Sequence, residues 1–172
     1  LETICGCTTL VVRNMTYGAA ILKVIRQVTT PYIGTMDADG QHTARDIRRL
    51  LDYIRTHDND MVIGARPHRG VGPRPMASHL LNLAASIVAG RHVPDLGCGA
   101  RVFRRDMALE LAPRLPEGFD FNAVLTTLAL VRGYRVQWLD IPHRPRQQGK
   151  SHVRLWDGFR TLGSLSKVAR WE

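Results

Sequence analysis

The sequence predicts an α/β fold in which a mostly parallel sheet is flanked by helices. Short β-branched or apolar runs alternate with longer segments that carry apolar residues at helical spacing, which is the order expected of βαβ units. The 172 residues suit one domain, and 44% hydrophobic against 23% charged residues is enough to bury a core. This composition argues against global disorder.

The first elements follow one another closely. A β-branched run that includes residues 10–12 is expected to end a strand. Residues 17–25 carry a helical pattern that stops before Pro31. Residues 32–36 are predicted to form a buried strand that runs directly into an acidic turn.

A second helix and strand follow the acidic turn. Residues 43–46 fit a capping box, because Thr and Asp three residues apart can accept hydrogen bonds from each other's backbone N–H groups. Apolar residues then recur at helical spacing as far as Ile54. Residues 60–65 are predicted as a strand, and residues 66–75 as a loop rich in Gly, Pro and Arg.

Five further elements are predicted in the second half of the chain. In order they are a mostly apolar helix over residues 76–89, a strand over 100–104, a helix over 119–132 closed by Gly133, a strand over 134–141, and a basic amphipathic helix over 154–171. We therefore divide the chain into an α/β domain over residues 1–151 and a C-terminal helix over residues 152–172.

The net charge of +9 is concentrated near the C-terminus. Residues 141–172 carry seven Lys or Arg against two acids, so +5 of the total lies in the last 32 residues. Such an excess favours nucleic acid, an acidic membrane surface or phosphorylated small molecules as partners. Aromatic residues, which single-strand binders need for base stacking, make up only 6% of the chain, and this counts against nucleic acid.

Crosslinks and targeting segments are not indicated. Cys5, Cys7 and Cys98 are too few and too unevenly placed for a disulfide framework, which indicates a reducing compartment. No apolar run approaches the roughly 18 residues of a membrane-spanning helix, and the N-terminus lacks the features of a signal peptide. Because the sequence does not begin with Met, we expect a fragment of a longer chain.

Two Asp-x-Asp pairs differ in their position relative to the strands. Asp37 and Asp39 follow a predicted strand, whereas Asp58 and Asp60 precede one. Ligands of open α/β sheets bind at the carboxyl ends of the strands, so only the first pair is a candidate site for Mg²⁺ or Mn²⁺. A turn or N-cap role for Asp37 and Asp39 remains the alternative.

A basic loop follows the last predicted strand. Residues 143–151 concentrate donors suited to phosphate, and Arg66 and Arg101 also fall where strands and loops meet. Convergence of these groups with a metal ion would form a diphosphate site. Each basic residue could equally be a solvated surface residue.

An ordered series of motifs resembles family-two glycosyltransferases of the dolichyl/polyprenyl-phosphate mannosyltransferase type. The resemblance runs from about Asn14 to Ser151, and the ordered series is more specific than any single motif. The matching segments are Met-Asp-Ala-Asp-Gly-Gln-His at 36–42, Val-Ile-Gly-Ala-Arg at 62–66, Asp-Leu-Gly-Cys-Gly-Ala-Arg-Val-Phe-Arg-Arg at 95–105, Arg-Gly-Tyr-Arg-Val at 132–136, and His-Arg-Pro-Arg at 143–146 with Gly-Lys-Ser at 149–151.

The resemblance implies a GT-A-like fold and a glycosyltransferase that depends on Mg²⁺ or Mn²⁺. Such an enzyme transfers a sugar from a nucleotide-sugar to a polyprenyl phosphate, and it lies peripherally at the cytoplasmic face of the membrane. Its partners are the donor, the acceptor and the membrane surface, with no nucleic acid. The opening strands of the family, which grip the nucleotide base and ribose, have no counterpart here, so the domain is expected to be N-terminally truncated and its donor binding incomplete.

The resemblance also assigns roles to individual residues. Asp39 and Arg101 are expected to be catalytic. The matched positions are Asp37, Asp39 and Gln41 for the metal; Asn14, Gly18 and Asp37 for the donor; and Arg66, Arg101, His143, Arg144, Arg146, Lys150 and Ser151 for the phosphates and acceptor. Thr16 and Ala100 depart from the residues most common in the family, a glycine and an aromatic respectively.

The chemistry of a phosphate acceptor agrees with this residue set. A phosphate monoester is largely dianionic at neutral pH and needs no general base, so direct displacement with inversion is expected. A saccharide acceptor would need a base, for which Asp95 and Asp120 are the candidates. A nucleic-acid-binding module and a non-catalytic fragment remain alternatives of other classes.

The basic C-terminal helix is expected either at the membrane interface or packed on the domain core, and residues 76–89 could add apolar surface near the lipid.

Overall fold

The centre of the molecule is a mixed four-stranded sheet, in which the strands lie in the order Tyr32–Thr35, Arg101–Arg104, Met61–Ala65 and Val136–Asp140. The computed structural model describes residues 2–4, 7–9, 13–66, 73–142, 144–147 and 155–171. The strands are β1 (Glu2–Ile4), β2 (Cys7–Thr9), β3 (Tyr32–Thr35), β4 (Met61–Ala65), β5 (Arg101–Arg104) and β6 (Val136–Asp140). The helices are α1 (Tyr17–Gln27), α2 (Ala44–Thr56), α3 (Pro73–Ala89), α4 (Arg105–Leu111), α5 (Phe121–Val131) and α6 (Leu155–Val168), with a 3₁₀ turn over Ala112–Arg114.

The direction of β5 makes the sheet mixed. β5 pairs antiparallel with both β3 and β4, and β4 pairs parallel with β6. Consequently β3, β4 and β6 all point the same way, and β5 alone opposes them. The predicted α/β fold class is confirmed. The mostly parallel sheet of the prediction corresponds to these three strands, which share one direction. β1 and β2 form a separate antiparallel hairpin.

Helices cover the sheet and bury its middle strand. α2 packs against β3, β4 and β5, while α3, α5 and α6 pack against one another. Every residue of β4 is buried, as expected of a strand covered on both faces. The capping box is present as predicted: the Thr43 hydroxyl accepts a hydrogen bond from the Asp46 N–H at 3.4 Å, and the Asp46 carboxylate accepts one from the Thr43 N–H at 2.8 Å.

The second Asp-x-Asp pair joins strands at the edge opposite the carboxyl ends. Asp58 accepts hydrogen bonds from the Arg135 guanidinium, and that arginine holds the pKa of Asp58 below its ordinary value. Asp60 Oδ2 accepts from the Arg135 backbone N–H at 2.9 Å, and Asp60 Oδ1 lies 3.4 Å from Arg104 Nε. These contacts link residues that flank β4, β5 and β6, in agreement with the prediction that this pair has a structural role.

The structure differs from the predicted elements most clearly at α4 and at the start of α3. α4 follows β5 without an intervening turn and was not predicted, because no Gly or Pro separates Arg104 from Arg105. α3 begins at Pro73 inside the predicted loop, since proline in the first helical turn removes only N–H groups that have no intrahelical acceptor. The strand end expected at residues 10–12 lies outside the described residues.

Among the described residues, no helix combines the length and the apolar character that crossing a bilayer requires. The α6 helix is instead partly integrated into the domain. Leu165 and Val168 are buried in the main hydrophobic cluster, whereas Phe159 is 66% exposed. Of the two expected placements of this helix, packing on the domain core is therefore observed for one face of α6 only.

The start of α1 packs closely on the turn before α5. Gly18 is buried, and a Cβ at this position would overlap the carbonyl oxygen of Pro116 and lie 2.8 Å from that of Glu117. The N–H of Ala19 donates to the Glu117 carbonyl at 3.1 Å. Only a residue without a side chain permits this approach of two backbone segments.

Gly18→Ala is expected to lower the free energy of unfolding by roughly 1–3 kcal/mol, because the added methyl group displaces backbone rather than a flexible side chain. Gly163→Ala, in the open interior of α6, is the matched control and is expected to raise it by about 0.5–1 kcal/mol. Urea denaturation of both variants checks this prediction. Equal effects of the two substitutions would contradict the packing argument.

Candidate active site

Four segments that are distant in sequence meet at the carboxyl edge of the sheet. β3, β4 and β6 end there, and the turn over residues 95–100 reaches the same edge because β5 runs in the opposite direction. The hydroxyl of Thr35, the last residue of β3, donates to the carbonyl of Gly99 at 3.0 Å. This hydrogen bond joins the end of β3 to the turn that precedes β5.

Asp39 lies at the centre of this edge. Its Oδ1 accepts a hydrogen bond from the Gln41 N–H at 2.9 Å, which closes a local turn. Its Oδ2 lies 2.9 Å from Nη2 of Arg146, and the Asp39 side chain is only 10% exposed. The structure therefore brings the predicted acidic turn and the predicted basic loop into direct contact at this ion pair.

Asp37 occupies a space that Gly99 leaves open. A Cβ on Gly99 would overlap the Asp37 carboxylate. The absence of a side chain on Gly99 is therefore what lets the acidic turn after β3 approach the turn before β5. Sequence reasoning did not assign Gly99 to the site, because nothing local in its segment indicates which side chain it faces.

The segment over residues 144–147 crosses the acidic turn. Arg144 Nη1 donates to Asp46 Oδ2 at 2.6 Å, and the Gln41 side-chain amide donates to the Arg144 carbonyl at 3.3 Å. Burial alone would raise the pKa of Asp46, but hydrogen bonds from Arg144 and Thr43 outweigh it and hold the pKa below its ordinary value. Asp46 thus joins the helix cap to the basic segment, a role that its capping pattern did not reveal.

Arg66 is held by Asp95. Arg66 Nε and Nη2 donate to the two carboxylate oxygens of Asp95 at 2.8 and 3.1 Å, and the Arg66 N–H adds a contact of 3.3 Å. Asp95 is 1% exposed and also accepts from the Gly97 N–H at 3.0 Å. Since the carboxylate is occupied by these donors, it is poorly placed to act as the general base considered for a saccharide acceptor.

Arg101 requires a correction. It was predicted to be catalytic and to contact the acceptor phosphate, but its side chain is fully buried. The guanidinium donates to the carbonyls of Leu96 and Cys98 at 3.3 and 2.5 Å, and to the carbonyl of Asn122 and the hydroxyl of Thr126 at 3.1 and 3.0 Å. Burial lowers the pKa of Arg101. In this arrangement Arg101 positions the 95–100 turn against α5 and does not reach a ligand at the surface.

Two of the predicted donor-binding residues, Asn14 and Gly18, lie in different surroundings. Asn14 is exposed with a positive φ of 55°, whereas Gly18 is buried in the contact described above and serves packing. A cavity of about 230 Å³ lies beside them. Its lining comprises Met15, Thr16, Tyr17, Gly118, Phe119, Asp120, Asp157 and Arg160. Asp120, the second candidate base, is 3% exposed; its Oδ2 accepts from the Ser164 hydroxyl at 2.6 Å, whereas its Oδ1 accepts no hydrogen bond from the described residues and lies 3.9 Å from Arg160 Nε.

Tyr17 beside this cavity and His42 in the acidic turn each have a polar neighbour within the fold. The Tyr17 hydroxyl accepts from the Asn122 amide at 2.8 Å, and burial raises the pKa of that tyrosine. His42 is buried with its Nε2 3.9 Å from Cys98 Sγ, and burial, followed by the charge of Arg66, lowers the pKa of His42. Three predicted residues, His143, Lys150 and Ser151, lie outside the described residues.

Comparison with known proteins identifies consistent relatives. A family model described as Glycosyl transferase family 2 matches residues 10–111. The chain is 29% identical to the undecaprenyl-phosphate mannosyltransferase of Micrococcus luteus over 148 residues, covering 80% of this chain and 60% of that protein. It is also 29% identical to the polyprenol monophosphomannose synthase of Mycolicibacterium smegmatis, covering 79% of this chain and 53% of that protein. The chain thus spans little more than half the length of these relatives.

A solved structure has the same fold. Glucosyl-3-phosphoglycerate synthase from Mycobacterium tuberculosis, in complex with Mn²⁺, uridine diphosphate and phosphoglyceric acid, superimposes with a TM-score of 0.68. The match covers 93% of this chain and 56% of that chain at 16% sequence identity. This likeness confirms the GT-A-like fold that the motif series implied.

Arg101→Lys is expected to lower the free energy of unfolding by roughly 3 kcal/mol, because one ammonium group cannot satisfy the four acceptors that the guanidinium serves. Arg104→Lys on the same strand is the control. The Arg104 side chain is 41% exposed, so a change below about 1 kcal/mol is expected there. Guanidinium chloride denaturation measures both. A stable Arg101→Lys variant would contradict the positioning role.

Proposed function

Because the chain belongs to glycosyl transferase family 2, we propose that the protein transfers a sugar from a nucleotide-sugar to a polyprenyl phosphate in a divalent-metal-dependent reaction at the cytoplasmic face of a membrane. The observation that carries this proposal is the contact between the acidic turn after β3 and the basic segment after β6. Carboxylates for a cation and guanidinium groups for phosphates are thereby assembled at one edge of the sheet.

The acceptor class is supported by the relatives and by the engagement of Asp95, one of the two candidate bases. Both similar proteins named above act, by their names, on polyprenyl carriers. Both carboxylate oxygens of the buried Asp95 accept hydrogen bonds from Arg66. A phosphate monoester is already anionic and attacks without deprotonation, which favours it over a saccharide acceptor.

The residues present suit a divalent cation. Asp37 and Asp39 offer the hard oxygen ligands that Mg²⁺ and Mn²⁺ prefer, and Asp39 already holds a cationic group. Within the described ranges, no three His, Cys, Asp or Glu side chains cluster closely enough to hold a metal ion, so donor oxygens would complete the coordination. When bound, the ion would supply Lewis-acid stabilisation of the leaving diphosphate.

The reaction is a single displacement. An oxygen of the acceptor phosphate forms a bond to the anomeric carbon, and the bond from that carbon to the donor diphosphate breaks. The electron pair leaves with the nucleoside diphosphate, and the configuration at the carbon is inverted. The chain's own contribution is electrostatic: Asp37 and Asp39 would hold the cation, and Arg144 and Arg146, at the same edge of the sheet, would offset the negative charge of the phosphate groups.

The membrane part of the proposal is supported by exposed apolar side chains on α3 and α6. Four residues of α3 at helical spacing are 58–72% exposed, namely Met76, Leu80, Leu83 and Ile87. Phe159 and Leu162 of α6 are 66% and 39% exposed, and the two helices pack against each other. Arg160 and Lys167 of α6, and Arg170 just after it, are exposed, so an apolar surface flanked by cations is available to an anionic bilayer.

Asp39→Asn is expected to reduce transfer of labelled sugar into a short-chain polyprenyl phosphate by at least about 100-fold, because it removes a charge that stabilises the cation. Asp58→Asn is the matched control: it has the same Asp-x-Asp spacing at the opposite edge and is expected to retain activity within about twofold. Organic extraction of product from a panel of nucleotide-sugars provides the readout. Transfer to a free saccharide, or equal loss in both variants, would contradict the proposal.

For the double variant Leu83→Glu/Ile87→Glu, the amount of protein that floats with vesicles of one-third anionic phospholipid is expected to be at least about fivefold lower than for the unmodified protein. The reason is that two charges replace apolar surface. Arg45→Glu, an exposed position on α2, changes the net charge by the same two units and controls for electrostatics. Vesicle flotation measures both. Equal recovery of the double variant and the unmodified protein would exclude α3 as the contact.

A further inference from the structure

The guanidinium of Arg146 occupies the carboxylate oxygen that a metal ion at Asp39 would need. Arg146 Nη2 lies 2.9 Å from Asp39 Oδ2, and the other oxygen, Oδ1, accepts the Gln41 N–H. The Asp39 side chain is 10% exposed and that of Arg146 is 36% exposed. The pair is therefore shielded on the aspartate side and open to solvent on the arginine side.

The backbone around Arg146 is anchored, so this ion pair differs from a mobile surface contact. The N–H of Gln147 donates to the Asp39 carbonyl at 2.9 Å. On the other side of Arg146, the Arg144 carbonyl accepts from Gln41 and the Arg144 side chain binds Asp46. These contacts hold the backbone of Arg146 next to Asp39, which lowers the entropy cost of forming the ion pair relative to one between mobile segments.

We propose that Arg146 is an internal counter-ion of Asp39 that keeps divalent-cation affinity low until a donor diphosphate draws the guanidinium away. The inference rests on the proposed function, because it takes Asp39 as a metal ligand. A guanidinium and a divalent cation cannot share one carboxylate oxygen without strong like-charge repulsion. A diphosphate offers Arg146 a more highly charged partner with geometry suited to its planar fork, which releases Asp39 for the ion.

Metal and nucleotide already favour each other's binding because the ion contacts the diphosphate. The Arg146–Asp39 ion pair adds a second source of this mutual dependence. If nucleotide raises the metal affinity by a given factor, metal raises the nucleotide affinity by the same factor. Part of that factor comes from Arg146, and this part disappears when the guanidinium is removed. Arg146 therefore favours one order of binding: a free metal ion binds weakly, and the ion binds more tightly together with the diphosphate.

Mn²⁺ binding, followed by electron paramagnetic resonance of the free ion, tests the inference without an activity assay. In the absence of nucleotide, Arg146→Gln is expected to bind Mn²⁺ roughly fivefold more tightly than the unmodified protein, which corresponds to the loss of one well-formed ion pair. With uridine diphosphate, the nucleotide of the solved relative, the ratio of Mn²⁺ affinities with and without nucleotide is expected to fall by at least the same factor.

Two control variants separate this effect from general electrostatics. Arg146→Lys retains the charge and is expected to bind Mn²⁺ within about twofold of the unmodified protein. Arg45→Gln removes one exposed charge from the first turn of α2 and is expected to leave Mn²⁺ affinity within about twofold. Equal tightening by Arg45→Gln and Arg146→Gln would overturn the inference, as would no tightening in Arg146→Gln.

Asp39→Asn distinguishes failure of the inference from failure of the proposed function. If nucleotide-dependent Mn²⁺ binding is lost in Asp39→Asn while Arg146→Gln behaves like the unmodified protein, Asp39 is a metal ligand and the counter-ion role is wrong. If Mn²⁺ binds no better to the unmodified protein than to Asp39→Asn, with or without nucleotide, the metal-dependent function and the inference both fail.

Discussion

A positive charge inside the core constrains the arrangement of this molecule. The guanidinium of Arg101 is fully buried and must be satisfied by protein acceptors, which it finds in the 95–100 turn and in α5. Because those acceptors are mostly backbone carbonyls, the charge sets the path of the chain. The turn is thereby held where Gly99 faces the Asp37 carboxylate, so the position of the acidic turn depends on an interaction that lies beneath it.

The convergence of the site follows from strand direction and was accessible from sequence. Asp37 and Asp58 begin two Asp-x-Asp pairs of identical spacing, and their order relative to the neighbouring strand correctly separates the two edges of the sheet. The structure places Asp39 against Arg146 at the carboxyl edge and Asp58 against Arg135 at the other. The argument succeeds because it uses chain direction, which survives errors of one or two residues in element boundaries.

Other parts of the site could not be predicted, because they depend on which residues meet across long sequence separations. Arg66 and Arg101 both stand at junctions of strand and loop, yet one is paired with Asp95 and the other faces the core. Local pattern does not distinguish an arginine that points outward from one that satisfies carbonyls within. Likewise Asp46 shows the pattern of a helix cap, and its second partner, Arg144, lies 98 residues away.

The two ends of the sheet differ in mechanical character. At one end, Asp58 and Asp60 clamp residues flanking three strands to Arg104 and Arg135, which resists slippage of strand register. At the other end, the cohesion comes from ion pairs between loops. Displacements of the chain at that end are accordingly expected in the loops, while the strands beneath them keep their register.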